Sequence, residues 1–244
     1  SYRAFVVDAA GNMNVTDNRT FSVVDTTNCR SLGTANYVYT LVQPVSGSGS
    51  CFTVAADNVT LDCSAYSVSY AGSSAGYGVN VSGFNSTTVR NCVFLGQNAS
   101  VQDSAGMFAF NSNNSIFINN TINSSGNYSI GISIIRSNFT NISNNLINVS
   151  GNFSHAIGLG SSGLNNITGN IILAQGGRDD YGINLTGSIW NYVAFNNITT
   201  SGVGSTGNDY GIFLTLSANN NTVANNTVTT SGSSSANYGI YLFS

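Results

Sequence analysis

Pairs of apolar residues separated by one position recur along the chain, as in Ile183–Leu185, Ile212–Leu214 and Ile240–Leu242, each just after a glycine. Alternation of period two places both apolar side chains on one face of a β-strand. A second short apolar pulse follows (Val193, Val223), then an Asn-rich corner, then a third pulse (Ile198, Val228). The glycines opening these phrases are Gly78, Gly106, Gly131, Gly158, Gly182, Gly211 and Gly239, with spacings of 28, 25, 27, 24, 29 and 28. The pattern predicts three short strands per unit, repeated every 24–29 residues along most of the chain.

Such a unit is either a hairpin-based blade or one turn of a solenoid, and turn chemistry decides between them. Tight hairpins favour Asn-Gly and Asp-Gly, because both central residues need positive φ. With 37 Asn, 9 Asp and 27 Gly, the chain contains neither dipeptide. Parallel stacking from coil to coil is therefore expected. The second residue of each Asn-rich corner then forms a column: Cys63, Cys92, Asn120, Asn145, Asn170, Asn196 and Asn226. Asn tolerates the left-handed backbone a sharp corner needs, and its amide can bond above and below. Each column Asn is followed two positions later by Ile or Val, so none is a glycosylation sequon, which suits a buried ladder.

The YGI-x-L phrase, the run NNTVANNTV and the pair VTLDC and TVRNC resemble the right-handed parallel β-helix repeats of pectate-lyase-like and NosD-like proteins, over roughly residues 29–244. The resemblance implies an all-β, right-handed parallel β-helix of about 7–8 coils over residues 28–244, and it is specific for the fold rather than for an activity. Residues 1–27 stand outside the repeat. The stretch SYRAFVVDAAGNMNVTDNRTFSVVD resembles the last two strands of a bacterial immunoglobulin-like domain, Y-x-x-x-V-x-D-x-A-G-N followed by a strand such as FSVV. Two strands alone are marginal in water, and the closing YGIYLFS has the form of a first strand without its coil. The expectation is that both ends are covered, by the rest of a larger surface protein or by copies of the chain joined head to tail.

The four cysteines add a constraint. Cys63 and Cys92 share the corner column in consecutive coils, and parallel strands lie about 4.8 Å apart, within disulfide reach. Pairing Cys63 with Cys92 leaves Cys29 with Cys51. Spacings of 22, 12 and 29 contain no C-x-x-C, which argues against a metal site. Disulfides place the chain in an oxidising, extracellular setting, at a cell surface or beyond it.

Composition agrees with that setting. Only 6% of residues are charged, every acid being Asp and every base Arg, with a formal charge of −3. No basic patch exists for a nucleic acid, and no apolar run approaches the length of a membrane span. Polarity comes instead from 37 Asn, 36 Ser and 22 Thr. Nineteen N-x-S/T sequons occur, at Asn14, Asn18, Asn58, Asn80, Asn85, Asn98, Asn113, Asn119, Asn123, Asn127, Asn138, Asn141, Asn148, Asn152, Asn166, Asn184, Asn197, Asn220 and Asn225. Roughly nine would arise by chance from this composition, so N-linked glycans are expected partners. Asn80 and Asn184 each lie between two inward apolar residues and should face out.

A search for chemistry finds little equipment. The Asp residues fall mostly one per coil, short of the converging oxygens calcium needs. The pair in GGRDDYG, Asp179 and Asp180, looks like the G-x-D-D element of polygalacturonases, whose two carboxylates serve as acid and base. The Asn-Thr-Asp, Gly-His-Gly and Arg-Ile-Lys elements of that pattern are missing. Asp180 also aligns with Asp209 before a repeated Tyr-Gly and reads as a corner residue, with Arg178–Asp179 an exposed ion pair. His155 reads as a loop or rung residue. Tyr77, Tyr181, Tyr210 and Tyr238 stack between coils or form a ladder for sugars. The sequence therefore predicts no catalytic residue, metal or cofactor. Its functional reading is a glycosylated structural rod in a surface layer, adhesin stalk or fibre, with a polysaccharide-binding or polysaccharide-cleaving module as the alternative.

Overall fold

A computed structural model describes residues 5–7, 13–15, 22–96, 103–202, 207–233 and 236–243. They form a parallel β-solenoid of about eight turns with three sheets, and no helix occurs among them. The first sheet has nine strands, from Arg30–Leu32 through Tyr77–Ser82 and Tyr181–Thr186 to Tyr238–Phe243. The second also has nine, from Ser22–Thr26 to Thr222–Ala224, and the third eight, from Val45–Ser46 to Thr227–Thr230. Each full coil visits the three in that order.

Every pairing within the three sheets is parallel and in register, so like residues lie over like. Ile183 pairs with Ile212 and Ile212 with Ile240 in the first sheet. Val193 pairs with Val223 in the second, and Ile198 with Val228 in the third. The inward side chains form one continuous core, with Val79, Ile132, Ile142, Ile147, Ile167 and Ile183 among its fully buried members. Burying one such side chain stabilises by about 1.5–3 kcal/mol, and the same three-walled packing repeats in every coil.

The register corrects one element of the repeat. Ile130 pairs with His155, Ile132 with Ile157 and Ser133 with Gly158, so Ala156 rather than Gly158 occupies the position of Gly131 and Gly182. A β-carbon at that position points inward at the third sheet. At Gly106 it would lie 2.8 Å from Ile122, and at Gly131, Gly182 and Gly211 it would press on Ile147, Ile198 and Val228. Small residues are needed there by close approach, and Ala156 is fully buried in its coil.

The sequence boundary also moves. Ser22–Thr26, assigned above to the N-terminal segment, pairs in parallel with Tyr37–Leu41 and opens the second sheet, so the solenoid begins before residue 28. Its alternating Val23 and Val24 fit any half-buried sheet, which is why the stretch also matched another fold. The antiparallel pair among the described residues, Phe5–Val7 with Met13–Val15, lies in the segment set apart by sequence. In the last coil Ile240 and Leu242 stand where other coils bury their core and are 48% and 70% exposed.

Candidate functional site

Both disulfides form at the start of the solenoid, Cys29–Cys51 with Cα atoms 4.5 Å apart and Cys63–Cys92 at 4.7 Å. Above Cys92 the same corner continues as an amide ladder. The Nδ2 of Asn145 donates to Asn170 Oδ1 (3.0 Å) and to Phe117 O (2.9 Å). The backbone N–H of Asn145 also donates to Asn170 Oδ1 (3.0 Å), and Asn120 repeats all three bonds one coil below. Asn170, Asn196 and Asn226 extend the column. An amide has two donors and two acceptor sites, and Asn145, Asn170 and Asn196 use all four. The left-handed backbone belongs to the preceding residue, not to the ladder residue itself: Asn91, Asn119, Asn144, Gly169, Phe195 and Asn225 all have φ between 54° and 66°.

Sequence reasoning missed two further columns at the corner between the first and second sheets. Asn165, Asn191 and Asn221 form a second amide ladder with bonds of 2.8–3.0 Å. Ser112, Ser137, Ser162 and Ser188 form a hydroxyl ladder beside it. The one-coil spacing of these residues was visible, but Asn and Ser are too abundant for it to stand out.

The sequons sort by position. Asn58, Asn119, Asn166, Asn197, Asn220 and Asn225 are exposed, whereas Asn80, Asn123, Asn141, Asn148 and Asn184 are half-buried on outer faces. Asn85, Asn113 and Asn138 each accept an N–H from the next coil through Oδ1, at 2.7–2.8 Å. Asn127 and Asn152 do the same at 2.9 Å. Asn18 and Asn98 fall outside the described residues, and of Asn14 the backbone alone is described.

The corner returning to the first sheet carries the acids. Ser154 N–H donates to Asp180 Oδ1 (3.0 Å), and Asp180 N–H to Asp209 Oδ1 (3.2 Å), so the two carboxylates stand in the column of Ser154. Both are buried, and Asp180 Oδ2 finds no partner. Burial pushes the Asp180 carboxyl up to about 7; the Ser154 bond opposes this, and the charges of Asp209 and Asp179 add to it. Burial raises Asp209 as well. Asp179 accepts the N–H of Asn208 (2.8 Å), and Arg178 lies over the Phe153 ring at 5.5 Å in place of the ion pair expected with Asp179. The paired acids of GGRDDYG thus point to different neighbours, and Asp180 is a corner residue.

Just after these acids, on the outer face of the first sheet, runs an aromatic column. His155, Tyr181, Tyr210 and Tyr238 stack successively, with ring centroids 4.7, 5.2 and 5.8 Å apart. His155 is thus a rung of the tyrosine column; burial pushes its pKa down to about 4, so the ring is neutral. A second column beside it includes Phe213 and Tyr241, with Tyr77 and Phe108 stacked (4.5 Å) toward the other end. Between the aromatic ends, Ser133, Gly158 and Gly160 leave the face low, with adjoining depressions of about 180 and 160 Å³. The sequence carried the signal for the second column, an aromatic three residues after the repeated Tyr in YGIF and YGIY. Among the described residues no group of His, Cys, Asp or Glu is placed to hold a metal ion.

No protein-family profile matches the chain, and no curated protein matches it. Among solved structures, it is similar to the DFA-IIIase of Arthrobacter chlorophenolicus A6 without its lid, at 10% identity and a TM-score of 0.55. That alignment covers 91% of this chain and 81% of the other. Two mannuronan C-5 epimerase A-modules of Azotobacter vinelandii also match: AlgE4 at 13% identity and TM-score 0.35, and AlgE6 at 14% and 0.29. The alignments cover 86% of this chain in both cases, and 80% and 82% of the epimerase modules. At such identities the first likeness speaks for the fold.

Proposed function

We propose that the protein is an extracellular, glycosylated structural rod, part of a cell-surface layer, adhesin stalk or fibre. The observation that carries this reading is the unbroken corner column. Disulfide and then amide follow one another from Cys63 to Asn226, each rung bonded to the next. Such a column resists shear between coils and gives the solenoid axial stiffness without charge. The outer faces differ from coil to coil, carry few charges and present sequons, so attached glycans supply solubility. Electron microscopy of native material, with glycopeptide mass spectrometry, tests it: straight rods with sugar on the exposed sequons are expected. Bare globular particles with unmodified sequons would exclude it.

A second reading is favoured by the aromatic columns and low floor of the first sheet, a face on which a polysaccharide could lie. The DFA-IIIase and the epimerases are named for carbohydrate chemistry, which fits this alternative only as an analogy of fold. Release of reducing ends or unsaturated products from acidic glycans would favour it.

A further inference from the structure

At the corner between the first and second sheets, successive coils place Ser86, Asn114, Phe139, Leu164, Trp190 and Asn220 at one left-handed position, with φ of 58–61°. Short polar residues suit that backbone, and bulky ones are strained there. Yet the middle three coils carry Phe, Leu and Trp, and these side chains are 57%, 52% and 57% exposed rather than packed away. Strain and exposed apolar surface at the same three positions serve no need of the corner, because Asn fills it above and below. Phe195 and Leu216 show the same combination singly at other corners, whereas here it recurs in three consecutive coils beside a cavity, which points to a site.

A cavity of about 270 Å³ opens beside Leu164 and Trp190, bounded also by Ile189, Asn138 and Ser161. Small residues make the room. A β-carbon on Gly163 would lie 2.8 Å from Ile189 O, and Gly187 sits at φ 56° where the next coil has Leu216. Asn138 fixes its Oδ1 on the N–H of Gly163 (2.7 Å), while its Nδ2 makes no hydrogen bond to the described residues. No charged side chain lines the cavity; Arg136, one coil away, is turned onto the Phe110 ring. The volume falls just below the roughly 300 Å³ at which pockets for drug-sized ligands begin, which fits one ring rather than a peptide segment.

We infer that this corner binds one pyranose ring of a neutral saccharide. An indole and two aliphatic side chains match the C–H face of a sugar, while the Asn138 amide and Ser161 hydroxyl match its hydroxyl edge. The site is separate from the aromatic face of the first sheet, and the inference does not depend on the rod.

Trp190 is the chain's single tryptophan, so its fluorescence reports this cavity alone. Unglycosylated protein is titrated with cellobiose, mannobiose and N,N′-diacetylchitobiose. At least one should give a saturable shift in emission, weakened at least tenfold by Leu164→Asn. That variant restores the residue type found at Asn114 and Asn220, so the corner remains intact. Tyr241→Ala on the first sheet should leave the shift unchanged. No saturable shift with any of the three sugars would overturn the proposal, as would undiminished binding by a folded Leu164→Asn. So would native protein whose Asn138 carries a covalent glycan occupying the cavity.

Discussion

Two corners of each coil meet the same demand with different chemistry. Between the second and third sheets, and again on the return to the first, a buried backbone N–H must find an acceptor on the coil above. At the first of these corners Asn supplies it and returns two donors of its own, so the column closes on itself. At the second, Asp180 and Asp209 supply the acceptor but, when ionised, have no hydrogen to return. Ser154, one coil below, does return one, from Oγ to Gly126 O at 3.2 Å. The amide column is therefore neutral and complete at any pH. The carboxylate column has a hydrogen to return only when it holds a proton, and burial, with the charges of Asp209 and Asp179, raises the affinity of Asp180 for that proton.

The largest effect separating the corners should come from breaking the amide column. Asn145→Ala removes the acceptor of the buried Asn120 N–H and of one Asn120 Nδ2 hydrogen, and should cost about 2–4 kcal/mol in denaturant unfolding. Replacing Cys63 and Cys92 together by Ser should cost a comparable or slightly smaller amount, about 2–3 kcal/mol, seen as a lower unfolding midpoint without reductant and a smaller further drop when reductant opens Cys29–Cys51. Asp180→Asn should act in the opposite direction, raising stability by about 1–2 kcal/mol at neutral to alkaline pH.

The sign follows from linkage. Burial holds the folded Asp180 carboxyl at about 7, above its ordinary value of 3.8. Its stabilising proton is held by both states below the lower value. Between the two values only the fold retains it, so stability falls as pH rises, by at most about 1.4 kcal/mol per pH unit, and levels off above the upper value. The smallest effect is expected on the outer face, where Tyr241→Ala should cost about 1 kcal/mol or less through lost ring contacts.

Much of this contrast was legible in the residues. Missing Asn-Gly turns and recurrent one-coil spacing implied parallel coils, and the Cys and Asn column followed from them. Exposed positions were harder to read, because no repeat constrains them. The Gly158 phrase misled because glycine also occurs on an outer face, while the inward position of that coil tolerates Ala156. His155 looked solitary because the column it joins is otherwise tyrosine. Ser22–Thr26 matched the end of a different fold because five alternating residues fit either sheet. The acid pair of GGRDDYG shares part of a catalytic motif, but the alignment of Asp180 with Asp209 already marked a corner residue, and the corner sends the two side chains to different neighbours.

The most direct test exchanges the two chemistries between the corners. Urea unfolding of the wild type, Asp180→Asn and Asn170→Asp would be compared at about pH 5 and about pH 8. The account predicts that Asp180→Asn loses much of the wild-type fall in stability between those values, and that Asn170→Asp acquires a larger fall. Equal pH dependence in all three proteins would contradict it.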